Sequence, residues 1–237
     1  MDYQNKVMLI TGAYRGIGKT ISEYFSSLGM NIILTYHNHE KETFNLKNEL
    51  INKYHNDIKC FYLDLAIEES IEKLYLEIKE KYGHIDILVN NASLSMDNDI
   101  TLKTKKEFMN VLEVNVGGTF LMMKYFNNII DNGYIFNISS TDGIDTGSIY
   151  SIDYNASKAS INSLTKTFAL YSNNTIISLC PNWVDTESTK DMDKSYLINE
   201  MQRINQKKLI NSLDIAKTID KCIKEKISSG SIIRIDG

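Results

Sequence analysis

Seven short apolar runs recur along the chain, and each is continuous where a strand with one wet face would alternate. They are 7–11 (VMLIT), 31–35 (NIILT), 59–64 (KCFYLD), 86–90 (DILVN), 134–139 (YIFNIS), 175–180 (TIISLC) and 231–235 (SIIRI). Strands of this kind are covered on both faces. Segments of a dozen or more residues with helical spacing separate them, long enough to carry a parallel crossover. Ile67, Ile71, Leu74 and Ile78 mark one such helix at core spacing. Seven strands with intervening helices predict an α/β fold, a doubly wound parallel sheet with helices on both faces. The 237 residues contain no Pro-, Gly- or Ser-rich linker, no charge block and no repeat, so one domain spanning 1–237 is expected. In such sheets ligands sit beyond the carboxyl ends of the strands, which is where chemistry is to be sought.

The residues at those ends are polar. The first run leads into Thr11-Gly-Ala-Tyr-Arg-Gly-Ile-Gly18, with glycines at 12, 16 and 18 ahead of an amphipathic helix. Glycines there let the backbone turn tightly and approach an anion, such as a pyrophosphate, at a helix N-terminus. Asp64-Leu65 follows the third run, Asn90-Asn-Ala-Ser93 the fourth, Ser139-Ser140-Thr-Asp-Gly143 the fifth and Pro181-Asn-Trp-Val-Asp-Thr186 the sixth. Tyr154 and Lys158, in "YNASK", come about one helix turn apart soon after the fifth cluster. The same spacing occurs at Tyr75 and Lys79, so it carries meaning only through location. Tyr154 and Lys158 belong to the polar crevice; Tyr75 and Lys79 do not.

Other chemistries lack support. A formal net charge of -4 gives no electrostatic reason to expect nucleic acid or an anionic membrane as partner. No apolar run approaches the length of a membrane span or a signal peptide, which predicts a soluble, cytoplasmic protein. Cys60, Cys180 and Cys222 are far apart and odd in number, as expected of small hydrophobes in a reducing compartment. His37 and His39 have no ligand spacing around them, so no metal site is expected.

These motifs, in this order, closely resemble the short-chain dehydrogenase/reductase family: "TGAYRGIG", "NNAS", "VLEVNVGG", "NISS", "YNASK", "PNWVDT" and the final "IRIDG". Within that family the chain looks nearest to the 3-oxoacyl-(acyl carrier protein) reductase-like branch. The resemblance implies a Rossmann-type fold and hydride transfer between a nicotinamide and a carbonyl or secondary alcohol, either a 3-oxoacyl thioester or a small ketone. It implies that Tyr154 is the acid or base and that Lys158 assists it and holds the nicotinamide ribose. An ammonium about 5 Å away contributes roughly 3 kcal/mol at an effective dielectric of about 20. That would bring a phenol from near 10 to about 8. Ser140 resembles the serine that binds the substrate oxygen, with Ser139 as its rival. Asn115 resembles the asparagine that holds a relay water through its helix.

Carried over in the same way, Gly12, Tyr14, Arg15, Gly16, Ile17 and Gly18 would contact the phosphates and adenosine ribose of the cofactor. Asp64 and Leu65 would flank the adenine, Asn91 and Ala92 the neighbouring ribose, and Val184 and Thr186 the carboxamide. Tyr36 stands where family members that use NAD carry an acid, so NADP(H) is expected over NAD(H), with Arg15 and then His37 meeting the 2'-phosphate. Ser93 and Asn182 stand where the family has glycine. The segment 187–212 is expected to form a substrate loop. Long helices over roughly 104–129 and 154–171 imply a homo-oligomer, dimer or tetramer. The segments 125–133 and 169–175 carry no Lys or Arg to dock an acidic carrier, which favours a free small-molecule substrate. Two other readings stay open: a catalytically silent nucleotide sensor or scaffold on the same fold, and a reductase of sugar or pterin carbonyls.

Overall fold

The computed structural model describes residues 2–237. The chain runs β1 (Val7–Ile10), α1 (Gly16–Ser27), β2 (Asn31–Tyr36), α2 (Glu40–Tyr54), β3 (Ile58–Tyr62), α3 (Glu68–Tyr82), β4 (Ile85–Asn90), α4 (Lys105–Leu112), α5 (Gly118–Phe126), β5 (Ile130–Ile138), α6 (Ile152–Tyr171), β6 (Thr175–Pro181), β7 (Val184–Asp185), α7 (Glu187–Lys190), α8 (Lys194–Arg203), β8 (Ile210–Asn211), α9 (Ser212–Lys224) and β9 (Ile232–Ile235). Seven of these strands form one parallel sheet in the order β3-β2-β1-β4-β5-β6-β9. The order reverses between β1 and β4, which opens a crevice at their carboxyl ends.

The continuous apolar runs are explained by burial on both faces. Met8 and Ile10 of β1 join Ile32 and Leu34 of β2 against Phe25, Ile219 and Ile223 from α1 and α9. Val7 and Leu9 point the other way, to a second core with Ile71, Leu74 and Ile78 of α3 and Met122 and Phe126 of α5. The helical spacing in 71–78 thus marks a true core stripe. Ile67 is not part of it: it stands just ahead of α3 and is 47% exposed.

Three expected boundaries move. β3 ends at Tyr62, which releases Leu63 and Asp64 into the loop above the sheet. β5 begins at Ile130, earlier than the apolar run, with an irregular register opposite Ile85 and Ile87 and Asn132 at φ +50°. The helix expected over 104–129 is broken by a π-turn, Glu113–Gly117, between α4 and α5. Inside that turn the buried Asn115 side chain accepts from the Leu94 amide (2.7 Å) and donates to the Leu94 carbonyl (2.8 Å) and to Ser157 Oγ (3.0 Å). π-turns of this kind occur often at functional sites.

β7 and β8 are two residues each and pair in parallel, Val184 with Ile210 and Asp185 with Asn211. They clamp both ends of the segment that carries α7 and α8. The expected loop 187–212 is therefore a short helical flap, and its last residue already opens α9. No helix of the described residues is long and apolar enough to cross a membrane.

Candidate active site

A cleft of about 940 Å³ lies over the carboxyl ends of the strands. Gly12, Tyr14, Arg15, Gly16, Ile17, His37, Asp64, Leu65, Asn91, Ala92, Ser140, Tyr154, Lys158, Val184 and Thr186 all line it. Two of the expected site residues do not. Gly18 lies behind the loop, where a Cβ would stand 2.5 Å from the Gly12 carbonyl and 2.7 Å from the Asn91 amide. Asn115 is 1% exposed with its side chain committed to Leu94 and Ser157, so it acts on the cleft through the backbone it holds.

The glycine loop is built to hold an anion. Gly12 takes φ +64°, a conformation that L side chains rarely adopt. Asn91 Nδ2 donates to the Thr11 and Gly12 carbonyls (2.9 and 2.8 Å), and Thr11 Oγ1 accepts from the Asn91 and Ala92 amides (both 3.0 Å). These bonds fix the loop against the end of β4 and leave the N-terminus of α1 facing the cleft. No side chain of the Arg15 N-cap covers it. The carboxylate of Glu187, from the flap, accepts from the Gly16 amide at 3.0 Å. An anionic oxygen at a helix N-terminus is favourable. A pyrophosphate therefore fits the cradle, with Glu187 standing in its place.

At the adenosine corner, the Arg15 guanidinium lies 5.2 Å from the Tyr14 ring centre, and Tyr14 stacks on His39 at 4.0 Å. Tyr36 holds the place of the missing acid and donates to Glu40 (2.8 Å). His37 Nε2 lies 3.4 Å from Asp64 Oδ2.

At the other corner, Lys158 is 2% exposed, its ammonium donates to the Ile138 carbonyl (2.8 Å) and it lies 5.1 Å from the centre of the Tyr154 ring. Burial pushes this lysine down to about 8. The expected lowering of the Tyr154 phenol is not what the structure shows. Burial pushes the phenol up, Asp142 adds to the shift, and a hydrogen bond with Ser93 works against it. The ammonium covers the ring face, which explains why it does not offset desolvation at the hydroxyl.

The two adjacent serines differ. Ser139 Oγ spends its proton on the Lys158 carbonyl (3.0 Å). Ser140 Oγ accepts from the Asp142 amide (3.1 Å) and its hydroxyl also meets the Asp142 carboxyl, so it lines the cleft as a hydroxyl held by the turn after β5. Asn182 joins the turn after β5 to the chain end: it meets Thr141 Oγ1 and donates to Asp236 (2.8 Å). The second Tyr–Lys pair has nearly the same local geometry, with Lys79 Nζ 5.5 Å from the Tyr75 ring centre. It lies on α3 against Tyr125 and Phe126, away from the cleft. Asp142 and Glu187 carry no spacing signal in the sequence, one lying in the 3-10 turn Thr141–Gly143 and the other opening the four-residue helix α7.

Glycine loop, crevice and buried lysine beside a tyrosine together define a dinucleotide-dependent oxidoreductase fold. The family model described as short chain dehydrogenase matches residues 6–197. A 3-oxoacyl-[acyl-carrier-protein] reductase of Aquifex aeolicus is 31% identical over 99% of this chain and 97% of its own. A dehydrogenase/reductase structure from Sinorhizobium meliloti covers 99% of this chain and 94% of its own with a TM-score of 0.91 and 26% identity. A short chain dehydrogenase of Burkholderia cenocepacia in complex with NADP covers 100% and 98%, at TM-score 0.90 and 21% identity. The chain belongs to the short-chain dehydrogenase/reductase family, whose members are oxidoreductases that use nicotinamide cofactors.

Because Glu187 and a pyrophosphate compete for the same amide, Glu187→Gln is expected to tighten dinucleotide binding. A charge at a helix N-terminus contributes about 0.3–1 kcal/mol, so the dissociation constant read by fluorescence titration should fall roughly two- to fivefold. Unchanged or weaker binding would show that Glu187 does not obstruct the cradle.

Proposed function

We propose that the protein is an NADP(H)-dependent oxidoreductase that interconverts a carbonyl and a secondary alcohol on a free small molecule. The observation that carries this reading is the meeting of Tyr154, Lys158 and the hydroxyl of Ser140 in the same cleft as the glycine loop. When bound, the reduced nicotinamide supplies a hydride to the carbonyl carbon. Ser140 donates a hydrogen bond to the carbonyl oxygen and orients it toward Tyr154. Tyr154 gives its proton to that oxygen; a phenol held above its ordinary range is protonated at neutral pH and so starts in the acid form. Lys158 keeps a positive charge beneath the ring, which favours the tyrosinate left behind. Asn115 holds the π-turn and the Leu94 backbone in place as a positioning residue.

The adenosine corner supports NADP(H). Tyr36 offers no carboxylate to a ribose hydroxyl, and Arg15 is placed to meet a 2'-phosphate with a charge-assisted hydrogen bond. His37 would add a second contact, shared with Asp64. Glu187–Lys190 and Lys194–Arg203 form the flap over the substrate end. Assembly as a dimer or tetramer is supported by apolar side chains left in water on α4, α5 and α6: Met109 is 50% exposed, Phe120 41% and Leu170 90%. The carrier-docking segments 125–133 and 169–175 lack Lys and Arg, which supports free substrates over carrier-bound ones.

Tyr154→Phe should lose nearly all carbonyl reduction, read as NADPH consumption at 340 nm, while dinucleotide binding stays near normal. Tyr75→Phe is the matched control and should keep full activity. Similar residual rates in the two variants would remove Tyr154 from its role. The lysine sets a pH limb. Lys158 is an ammonium below about 8 and loses that charge above it, so kcat/KM for reduction should fall as pH rises through that value. A profile flat beyond pH 9.5 would contradict this.

A charged contact worth about 1.5–3 kcal/mol gives roughly a ten- to hundredfold preference for NADPH over NADH. Arg15→Ala should erase most of it through the NADPH KM, with little change for NADH. Equal use of both cofactors by the wild type would show that Arg15 does not recognise the phosphate.

A further inference from the structure

Beyond the reacting groups, the substrate end of the cleft is lined by a carboxylate, Asp142, that forms no ion pair among the described residues. Asp142 stands two residues after Ser140, in the 3-10 turn Thr141–Gly143. Its Oδ1 accepts from Thr146 Oγ1 at 2.9 Å. The cation facing it, Arg203 of α8, is committed elsewhere: Nη2 donates to Glu200 (2.8 Å) and to the Thr146 carbonyl (2.6 Å). Asp142 lines the same cleft as Ser140, Tyr154 and Lys158, and its charge acts on both Tyr154 and Lys158. Across the cleft, Tyr196 of α8 feels Glu200, Asp97 and Asp142 together. Asp97, Asp142 and Glu200 all line this end of the cleft, facing the Arg203 guanidinium and the buried Lys158 ammonium, and Asp142 is the carboxylate that stands two residues from the catalytic serine. A hydrocarbon chain laid there would desolvate that carboxylate with nothing in return, and an anionic group would meet like charge.

We propose that Asp142 determines substrate specificity, and that the substrate is a small carbonyl compound that carries a hydroxyl or ammonium donor within one or two carbons of the carbonyl and no negative charge. The inference rests on the reductase reading above and deepens it. In the step itself the C=O gains a hydride at carbon and the Tyr154 proton at oxygen, while the reduced dinucleotide is oxidised. Asp142 takes no proton; it accepts a hydrogen bond from the donor group and so fixes which side chain of the ketone lies over the flap.

Matched ketones test the idea. With NADPH, the wild type should reduce hydroxyacetone, and aminoacetone beside it, with kcat/KM about ten- to a hundredfold above 2-butanone, the range of one charge-assisted hydrogen bond. Acetoacetate should be the poorest of the set. Asp142→Ala should bring hydroxyacetone and 2-butanone to near parity. Asp142→Asn, which keeps an acceptor and removes the charge, should retain part of the hydroxyl preference, lose the ammonium preference and improve acetoacetate. Dinucleotide binding by fluorescence titration shows that each variant is folded. A wild type that reduces all four ketones alike, or an Asp142→Ala variant that keeps the wild-type ranking, overturns the assignment of Asp142 and leaves the reductase reading intact. A wild type that binds NADPH and reduces no carbonyl overturns both.

Discussion

An ammonium buried to 2% exposure is the feature around which the cleft is built. Taking a lysine out of water costs several kcal/mol unless its donors are met and a complementary charge or π-face is near. Lys158 finds the Ile138 carbonyl at the end of β5 and the face of Tyr154. Both contacts demand that α6 cross the carboxyl end of β5 at one height. Ser139 reinforces this by donating to the Lys158 carbonyl. The same crossing sets Tyr154 in the cleft over the carboxyl ends of the strands, together with Ser140 at the turn after β5. The position of the acid, of the hydrogen-bond donor and of the cation thus follows from satisfying one buried charge.

Local geometry alone does not make that chemistry. Tyr75 and Lys79 have the same spacing and nearly the same ring-to-ammonium distance as the catalytic candidates. Lys79 is exposed, where water screens its charge. Lys158 is not, and burial alone moves it to about 8. The difference lies in location, since Tyr154 and Lys158 of α6 line the cleft whereas Tyr75 of α3 packs against Tyr125 and Phe126.

The features legible in the sequence are those that repeat or that the backbone forces. The seven strands were readable because both faces are buried, and the helix 71–78 because its core stripe has a period. The glycine loop was readable because a residue such as Gly12 must take positive φ. What escaped has no period. β7 and β8 are too short to show one. The π-turn around Asn115 depends on contacts to Leu94 and Ser157 from elsewhere in the chain. Glu187 reaches the Gly16 amide across 171 residues, a contact made by topology. Ser93 and Asn182 looked like lost glycines and prove to be hydrogen-bonding groups, one working on the Tyr154 phenol and the other tying Thr141 to Asp236.

Charge divides the cleft along its length. At the adenosine end the guanidinium of Arg15 lies over Tyr14, and the carboxylates there are engaged, Glu40 by the Tyr36 hydroxyl and Asp64 beside His37. At the far end Asp97, Asp142 and Glu200 line the cleft, with Arg203 paired to Glu200. Lys158 stands between them, buried. A narrow site with low-dielectric walls focuses such a gradient. A ligand with a polyanionic end and a polar uncharged or cationic end is therefore oriented before any contact specific to its shape is made. The flap closes over the acidic half, and its own Glu187 reaches back to the anion cradle of the other half. Charge on the flap is thus coupled to both halves: displacing Glu187 from the Gly16 amide frees α7 from the glycine loop while Arg203 still ties α8 to Thr146. The Glu187 carboxylate on the Gly16 amide is one contact that joins the flap to the anion cradle.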